Sequence, residues 1–169
     1  GETGAATIRF ARFEGGVWTK GRVSDSSYAY SSAGSPPILY SAAQAKDGSI
    51  AVAIAASGTS IEIWLSRDGG RSFVAAGNLE SSATVVAPRI YSSVSGGWMV
   101  FAGQGKPSSV GAAEAATPGG PVAADAATTA ILPSSVSIYV STSADGSSWS
   151  AFEPLVSDSE GLLMNFAPF

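Results

Sequence analysis

The stretch Ser66-Arg67-Asp68-Gly69-Gly70-Arg71-Ser72-Phe73 follows directly on residues 61–65, in which isoleucine or leucine occupies every second position. An alternation with a period of two is typical of a β-strand. Glycine tolerates a positive φ, so Gly70 favours a tight corner after that strand. Asp68 and Ser66 are residue types whose side chains bond turn amides that no neighbouring strand reaches. The stretch therefore predicts a strand, a corner and a second strand beyond it.

A second corner of the same form, Ser143-Ala144-Asp145-Gly146-Ser147-Ser148-Trp149, is one residue shorter. It follows residues 136–140, in which valine and isoleucine again alternate with other residues. Gly146 supplies the tolerance of positive φ, and Trp149 is the aromatic residue. In both copies we expect the aromatic side chain to pack over the hairpin and to fix its register.

The strands around the two corners group into a repeat. The first unit runs over residues 35–74 and turns at Asp47-Gly48, whereas the second runs over residues 87–149 and turns at Gly96-Gly97. Each unit holds four strand-like runs separated by turn residues, which predicts a four-stranded antiparallel meander. No stretch shows sustained helical periodicity, so the sequence predicts an all-β chain.

The spacing of the landmarks supports the repeat. Asp68 precedes Pro88 by 20 positions, and Asp145 precedes Pro168 by 23. The step from a corner to the proline of the next unit is therefore similar in both copies. We interpret the end of the sequence, around Pro168, as the opening of another unit.

A degenerate earlier copy occupies residues 11–18 and has Phe13 in place of the aspartate, 24 positions before Pro37. Pro37 and Pro88 lie 51 positions apart, close to the roughly 40–50 residues of a β-propeller blade. The sequence thus predicts part of a β-propeller, with about two full four-stranded blades and a partial blade at each end.

Two segments stand outside this pattern. Residues 1–4 are interpreted as a remnant of an expression vector, so the partial propeller is assigned to residues 5–169. Residues 104–134 are rich in Ala, Gly, Pro and Thr and predict a flexible, low-complexity insert. Because successive turns of a meander lie at alternate ends, this insert should lie opposite the aspartate corners.

Composition excludes several function classes. The 169 residues include no His and no Cys, which removes a Ser/His or Cys/His nucleophile pair, an ordinary zinc site and any disulfide. The net charge of −4 provides no basic footprint for nucleic acid. The apolar run at residues 50–56 is far shorter than the ~20 residues of a membrane-spanning helix. We expect no cofactor, no metal, no nucleic acid and no membrane span.

The form Ser-x-Asp-x-Gly-x-Ser-aromatic resembles the Asp box of sialidases and related bacterial-neuraminidase-repeat (BNR) propellers. The resemblance implies that the boxes are structural turns on the side away from the ligand, so Asp68 and Asp145 are not taken as a catalytic pair. A calcium site joining Asp68 to Glu62, or Asp145 to Glu153, has no ligand spacing behind it. The residues assigned to structural turns are Ser66, Asp68, Gly70, Phe73, Ser143, Asp145, Gly146 and Trp149.

A full resemblance to sialidases implies sugar hydrolysis by an arginine triad, a tyrosine nucleophile paired with a glutamate, and an aspartic acid. Sialidases carry their first arginine just before the proline of an Arg-Ile-Pro sequence, whereas Arg89 follows Pro88. That reversed order points the side chain to the opposite face of the strand. Two interpretations follow, a non-catalytic propeller module that binds a protein or a glycan, and a fragment of a sialidase-type glycoside hydrolase. The first assigns no catalytic residue.

Arg89, Tyr40 and Tyr91 lie in the predicted first strands of their units, which line the central channel of a propeller. We predict them as ligand-binding residues. For Trp64, Trp98 and Tyr139, packing against a neighbouring blade is favoured over stacking on a sugar.

A propeller closes with about four to eight blades, because closure protects the strand edges. Two full blades predict a second polypeptide that supplies the others, either the second product of a cleaved precursor or identical chains that assemble a ring. Together with the vector remnant, these features predict an exported protein, located outside the cell, at the cell surface or in the periplasm.

Overall fold

A computed structural model describes residues 3–31, 40–106 and 135–157. These ranges form twelve β-strands and contain no helix, and hence none long and apolar enough to cross a membrane. The all-β prediction is confirmed for this part of the chain. The strands are β1 (Thr3–Ala6), β2 (Arg9–Glu14), β3 (Val17–Arg22), β4 (Tyr28–Ser31), β5 (Tyr40–Gln44), β6 (Ile50–Ser57), β7 (Ser60–Ser66), β8 (Val74–Glu80), β9 (Thr84–Ser92), β10 (Trp98–Lys106), β11 (Ser135–Ser143) and β12 (Glu153–Ser157).

Strands β5, β6, β7 and β8 form one antiparallel sheet in chain order. This first sheet is the meander predicted for the first unit. Its two central strands alternate strictly, because neighbouring residues of a strand point to opposite faces. Ala53 pairs with Ile63 on one face, and Val52 pairs with Trp64 on the other.

Strands β9 to β12 form a second antiparallel sheet, again in chain order. The β10–β11 ladder runs from the Trp98–Ser143 pair at one end to the Lys106–Ser135 pair at the other. The insert therefore leaves the sheet opposite the second aspartate corner, as predicted. Residues 104–106, at the approximate start predicted for the insert, still pair within β10. Residues 107–134 lie outside the described residues.

The two sheets pack against each other through one apolar layer. Its buried side chains include Ile61, Ile63 and Leu65 from the first sheet, and Ile90 and Val100 from the second. Burial of each such side chain contributes about 1.5–3 kcal/mol. This layer is the main core that holds the two meanders together.

The first strands of the two sheets, β5 and β9, lie side by side and are joined by polar contacts. The backbone amide of Ile90 donates a hydrogen bond to Ser41 Oγ at 3.2 Å. The hydroxyl of Ser92 donates to the carbonyl oxygen of Gln44 at 3.0 Å. These bonds fix the relative position of the sheets along the strand direction.

The opposite face of the first sheet is covered by a second apolar cluster, in which Val52 and Ile54 pack with Ile8, Val23 and Tyr28. Strands β2 and β3 form a hairpin beside this cluster. The two central strands of the first sheet, β6 and β7, are therefore covered on both faces. A strand buried on both faces need not alternate polar and apolar residues, which explains the apolar run of β6.

Two details of the N-terminal region differ from expectation. Thr3 and Gly4, which had been set aside as a vector remnant, lie in β1 and pair with β4. In the degenerate copy, Phe13 lies inside β2 opposite Trp18, and the chain turns through Gly15-Gly16, both at positive φ. A two-residue glycine turn stands there in place of the aspartate corner.

Candidate functional site

The first aspartate corner is held by its own side chains. Asp68 Oδ1 accepts hydrogen bonds from the amides of Arg71 at 2.8 Å and Ser72 at 3.0 Å, and Oδ2 accepts from Ser72 Oγ at 2.6 Å. Ser66 Oγ donates to Asp68 Oδ1 and accepts from the amide of Gly70, both at 2.8 Å. Gly70 has φ of 86°, as the sequence predicted.

The second corner repeats this pattern with one residue fewer. Asp145 Oδ1 accepts from the amides of Ser147 at 2.8 Å and Ser148 at 2.9 Å. Ser143 Oγ donates to Asp145 Oδ1 at 3.1 Å and accepts from the amide of Gly146 at 2.8 Å. Gly146 has φ of 76°. Serine and aspartate thus have corresponding partners in both corners, apart from the Ser72 hydroxyl, which donates to Asp68 in the first corner.

The hydrogen bonds of the two corners keep the carboxylates of Asp68 and Asp145 ionised. The Ser72 hydroxyl, followed by the Ser72 amide, holds the pKa of Asp68 well below its usual range. The amides of Ser148 and Ser147 lower the pKa of Asp145. Donors that bind the ionised form stabilise it, so both groups stay charged and are poor general acids. Their chemistry is that of hydrogen-bond acceptors within a turn.

The second corner also contacts the first sheet. Arg67 Nη2 donates to the backbone carbonyl of Asp145 at 2.7 Å. A Cβ atom built on Gly146 would lie 3.0 Å from Trp98 Nε1 and 3.2 Å from Leu65 Cδ2. Glycine is therefore required at this position both for its positive φ and for the close approach of the two sheets.

The aromatic residues of the corners pack against neighbouring sheets. The Phe73 ring lies 5.2 Å from the Phe10 ring of β2. Trp149 Nε1 donates to the Gly146 carbonyl at 3.2 Å, and its ring lies over Gly77 of β8, where a Cβ would come within 2.7 Å of Trp149 Cδ1. The requirement for glycine at position 77 was not predicted, since nothing in the local sequence marks it.

A polar cleft of about 480 Å³ opens between the two sheets at the corner end. The turns of both sheets line it, together with the charged residues Lys46, Asp47, Arg67 and Asp145. Because cations and anions are mixed, the cleft has no single sign of charge to select a ligand.

The three predicted ligand-binding residues do not form one site. Tyr40 begins β5, is 53% exposed, and lines an apolar cavity of about 220 Å³ with Phe10 and Phe73. Arg89 and Tyr91 share the face of β9 that points away from the first sheet, because Ile90 between them enters the central layer. Arg89 and Tyr91 therefore lie together on the face of the second sheet that points away from the first. Tyr40 lies on the face of the first sheet that points away from the second.

The contacts of Arg89 and Tyr91 are local. Arg89 Nη1 donates to the carbonyl of Pro88 at 3.3 Å. The Tyr91 ring meets Phe101 edge to face, with centroids 5.8 Å apart. Both side chains are half-buried, so part of each is accessible to a ligand.

The packing roles predicted for two tryptophans are confirmed. Trp98 is buried in the central layer. Trp64 packs against the second apolar cluster and donates from Nε1 to Glu62 Oε2 at 3.0 Å. Tyr139 is half-buried in β11.

A hydrogen-bonded pair that the sequence did not reveal joins Tyr28 to Glu62. The Tyr28 hydroxyl donates to Glu62 Oε2 at 2.7 Å and contacts Ser24 Oγ at 2.6 Å. Tyr28 is 2% exposed, and desolvation raises its pKa. The phenol therefore remains protonated and acts as a donor. Local sequence carries no signal for this pair, because its members are 34 residues apart.

Within the three described ranges, no group of three Asp or Glu side chains is arranged to hold a metal ion. Comparison with known proteins identifies no family model, curated protein or solved structure that matches the chain.

Proposed function

We propose that the chain is a non-catalytic binding module, exported from the cell and built from Asp-box propeller blades. The observation that carries this proposal is the repetition of one unit: two successive four-stranded meanders stack through a shared apolar layer, and each has the same aspartate corner. A scaffold of this kind presents loops and first strands to a ligand while the corners serve stability.

The neighbouring positions of β5 and β9 support the propeller arrangement. First strands of successive blades lie next to each other around a propeller axis, and the Ser41–Ile90 hydrogen bond joins these two strands. Closure by further blades, from a second product of one precursor or from identical chains, is part of the proposal.

The ionisation of the corner carboxylates and the burial of Tyr28 favour binding over sugar hydrolysis. The carboxylates of both corners accept several internal hydrogen bonds and remain ionised. Tyr28 and Glu62 are the residue types that sialidase-like catalysis needs, but burial keeps the phenol protonated and away from a substrate. Arg89 and Tyr91, which share a partly accessible face, suit ligand contact.

We assign ligand contact to the insert at residues 107–134 and to the face of Arg89 and Tyr91. The test replaces residues 107–134 by Asn-Gly, which can close the hairpin because Lys106 and Ser135 are already paired. The purified proteins are applied to immobilised neutral and sialylated oligosaccharides and to a fluorogenic sialoside.

We expect the shortened chain to keep its melting temperature and to lose the glycan binding of the parent chain. The double variant Arg89→Ala/Tyr91→Ala should weaken the same binding. Equal binding by all three proteins, or no binding by the parent, would overturn the assignment to a glycan surface. Turnover of the sialoside would favour the hydrolase instead.

A further inference from the structure

The β2–β3 hairpin has two chemically different faces. Its inward face carries Phe10 and Arg12, which approach the first sheet. Its outward face consists of three cross-strand pairs, each exposed on both strands. These pairs are Arg9–Arg22, Ala11–Lys20 and Phe13–Trp18.

The outward face concentrates positive charge on an acidic chain. Four of the nine Lys and Arg residues of the sequence fall within residues 9–22, and the outward face carries three of them. The carboxylate of Glu14 is bound by Arg12 and Arg71. In the described part of the chain, no carboxylate lies within ion-pair distance of Arg9, Lys20 or Arg22.

An aromatic pair completes this face beside the Gly15-Gly16 turn. The rings of Phe13 and Trp18 lie 5.2 Å apart at 44°, and the two residues are 59% and 63% exposed. Two exposed aromatic rings in contact form a contiguous apolar patch, and such patches mark interaction sites more often than single exposed apolar residues do.

We infer that the outward face of the β2–β3 hairpin binds an acidic, uronate-containing polysaccharide. Arg9, Lys20 and Arg22 pair with carboxylates of the polymer, and Trp18 with Phe13 offers a surface for the apolar faces of its sugar rings. The three pairs extend over roughly 13 Å along the strands, which suits an extended polymer. This site is separate from the face of Arg89 and Tyr91. A further blade packed on the hairpin, as closure of the propeller at this end requires, would cover it, so the polymer binds the chain without a blade on this face.

Three other occupants fit the same observations less well. A further sheet packed on this face would bury three unpaired cations, which is costly. Double-stranded nucleic acid carries a negative charge about every 1.7 Å, a denser array than three cations spread over roughly 13 Å can match, whereas a uronate polymer carries at most one carboxylate per sugar ring. Insertion of the hairpin tip into an anionic membrane would carry Glu14 toward the lipid.

The experiment measures binding of the full chain to polygalacturonate by isothermal titration at two salt concentrations, with neutral dextran and polyphosphate as control polymers. The variants are Lys20→Ala/Arg22→Ala, Trp18→Ala and Trp18→Phe. Lys46→Ala is the control for loss of an exposed cation, since Lys46 lies in the β5–β6 turn.

We expect binding to polygalacturonate that weakens with salt, a loss of about fivefold or more in the double cation variant, and a loss of roughly tenfold in Trp18→Ala. Trp18→Phe and Lys46→Ala should bind within about twofold of the parent chain. Unchanged melting temperatures separate these effects from unfolding.

Several results would overturn the inference. One is absence of binding to polygalacturonate, and another is equal binding to polyphosphate, which would show charge attraction alone. Preferential binding to vesicles containing phosphatidylserine would assign the face to a membrane. Sedimentation as a dimer that Trp18→Ala abolishes would assign it to a second copy of the chain.

Discussion

Arg67 Nη2 donates a 2.7 Å hydrogen bond to the backbone carbonyl of Asp145, so a side chain from the first aspartate corner is bound to the backbone of the second. The two residues are 78 positions apart and belong to different sheets. The corners therefore shape their own hairpins and also fix how the two sheets meet.

Substitution of Asp68 by alanine removes the acceptor of two turn amides and two hydroxyls. We expect a lower free energy of unfolding, measured by urea denaturation, because these donors lose their acceptor. Asp25→Ala, at an exposed position, is the control and should change stability by less than about 0.5 kcal/mol. Equal stability of the two variants would show that the corner folds without its carboxylate.

Stability should fall in acid because of the same carboxylates. The folded-state pKa values of Asp68 and Asp145 are lowered, so the unfolded chain binds protons first as the pH drops. Their contribution is fully present above about pH 4, the ordinary pKa of aspartate, and is lost progressively below it. Urea midpoints at pH 7, 4 and 2.5 should decline, with a smaller decline in Asp68→Asn/Asp145→Asn. Equal declines of the urea midpoint in the parent chain and in the double variant would show that these two carboxylates do not cause the loss of stability in acid.

Gly77→Ala should disturb the contact between the sheets. The new methyl group would lie 2.7 Å from Trp149 Cδ1, and overpacking of this kind costs about 1–3 kcal/mol. Gly58→Ala is a matched control, because no atom lies within 4 Å of a Cβ at that position and Gly58 has no positive φ. A thermal unfolding midpoint for Gly77→Ala as high as that of Gly58→Ala would argue that Trp149 moves freely.

Tyr28→Phe removes the hydroxyl that donates to Glu62 inside the second apolar cluster. We expect a loss of about 1–2 kcal/mol, since among the described residues Glu62 then keeps only the Trp64 donor. A double-mutant cycle with Glu62→Gln isolates the coupling between the two side chains. A coupling near zero would mean that water replaces the phenol.

Local patterns in the sequence predicted the central strands of the two meanders, the order of those strands and the residues of both corners. Alternation and turn chemistry are properties of stretches about ten residues long, and the side-chain hydrogen bonds of Asp68 and Asp145 stay within four residues of each. The prediction for the degenerate copy was wrong because it rested on spacing alone, which placed Phe13 at a corner. In the structure Phe13 lies within strand β2.

The sequence predicted the candidate sites less well than it predicted the strands and corners. Arg89, Tyr91 and Tyr40 were grouped because each lies in a first strand, but strand parity sends Tyr40 to another face. The charged and aromatic outward face of the β2–β3 hairpin became visible only from its register, which aligns Arg9 with Arg22 and Phe13 with Trp18.

The sequence by itself determined an all-β chain of repeated meanders with two aspartate corners, because the short-range pattern of apolar residues and turn formers specifies each hairpin. The tertiary structure decided which faces meet, as seen in the contact of Gly77 with Trp149 and the bond of Tyr28 to Glu62. Such contacts join residues far apart in the chain, and they depend on how whole sheets fit together rather than on any local pattern.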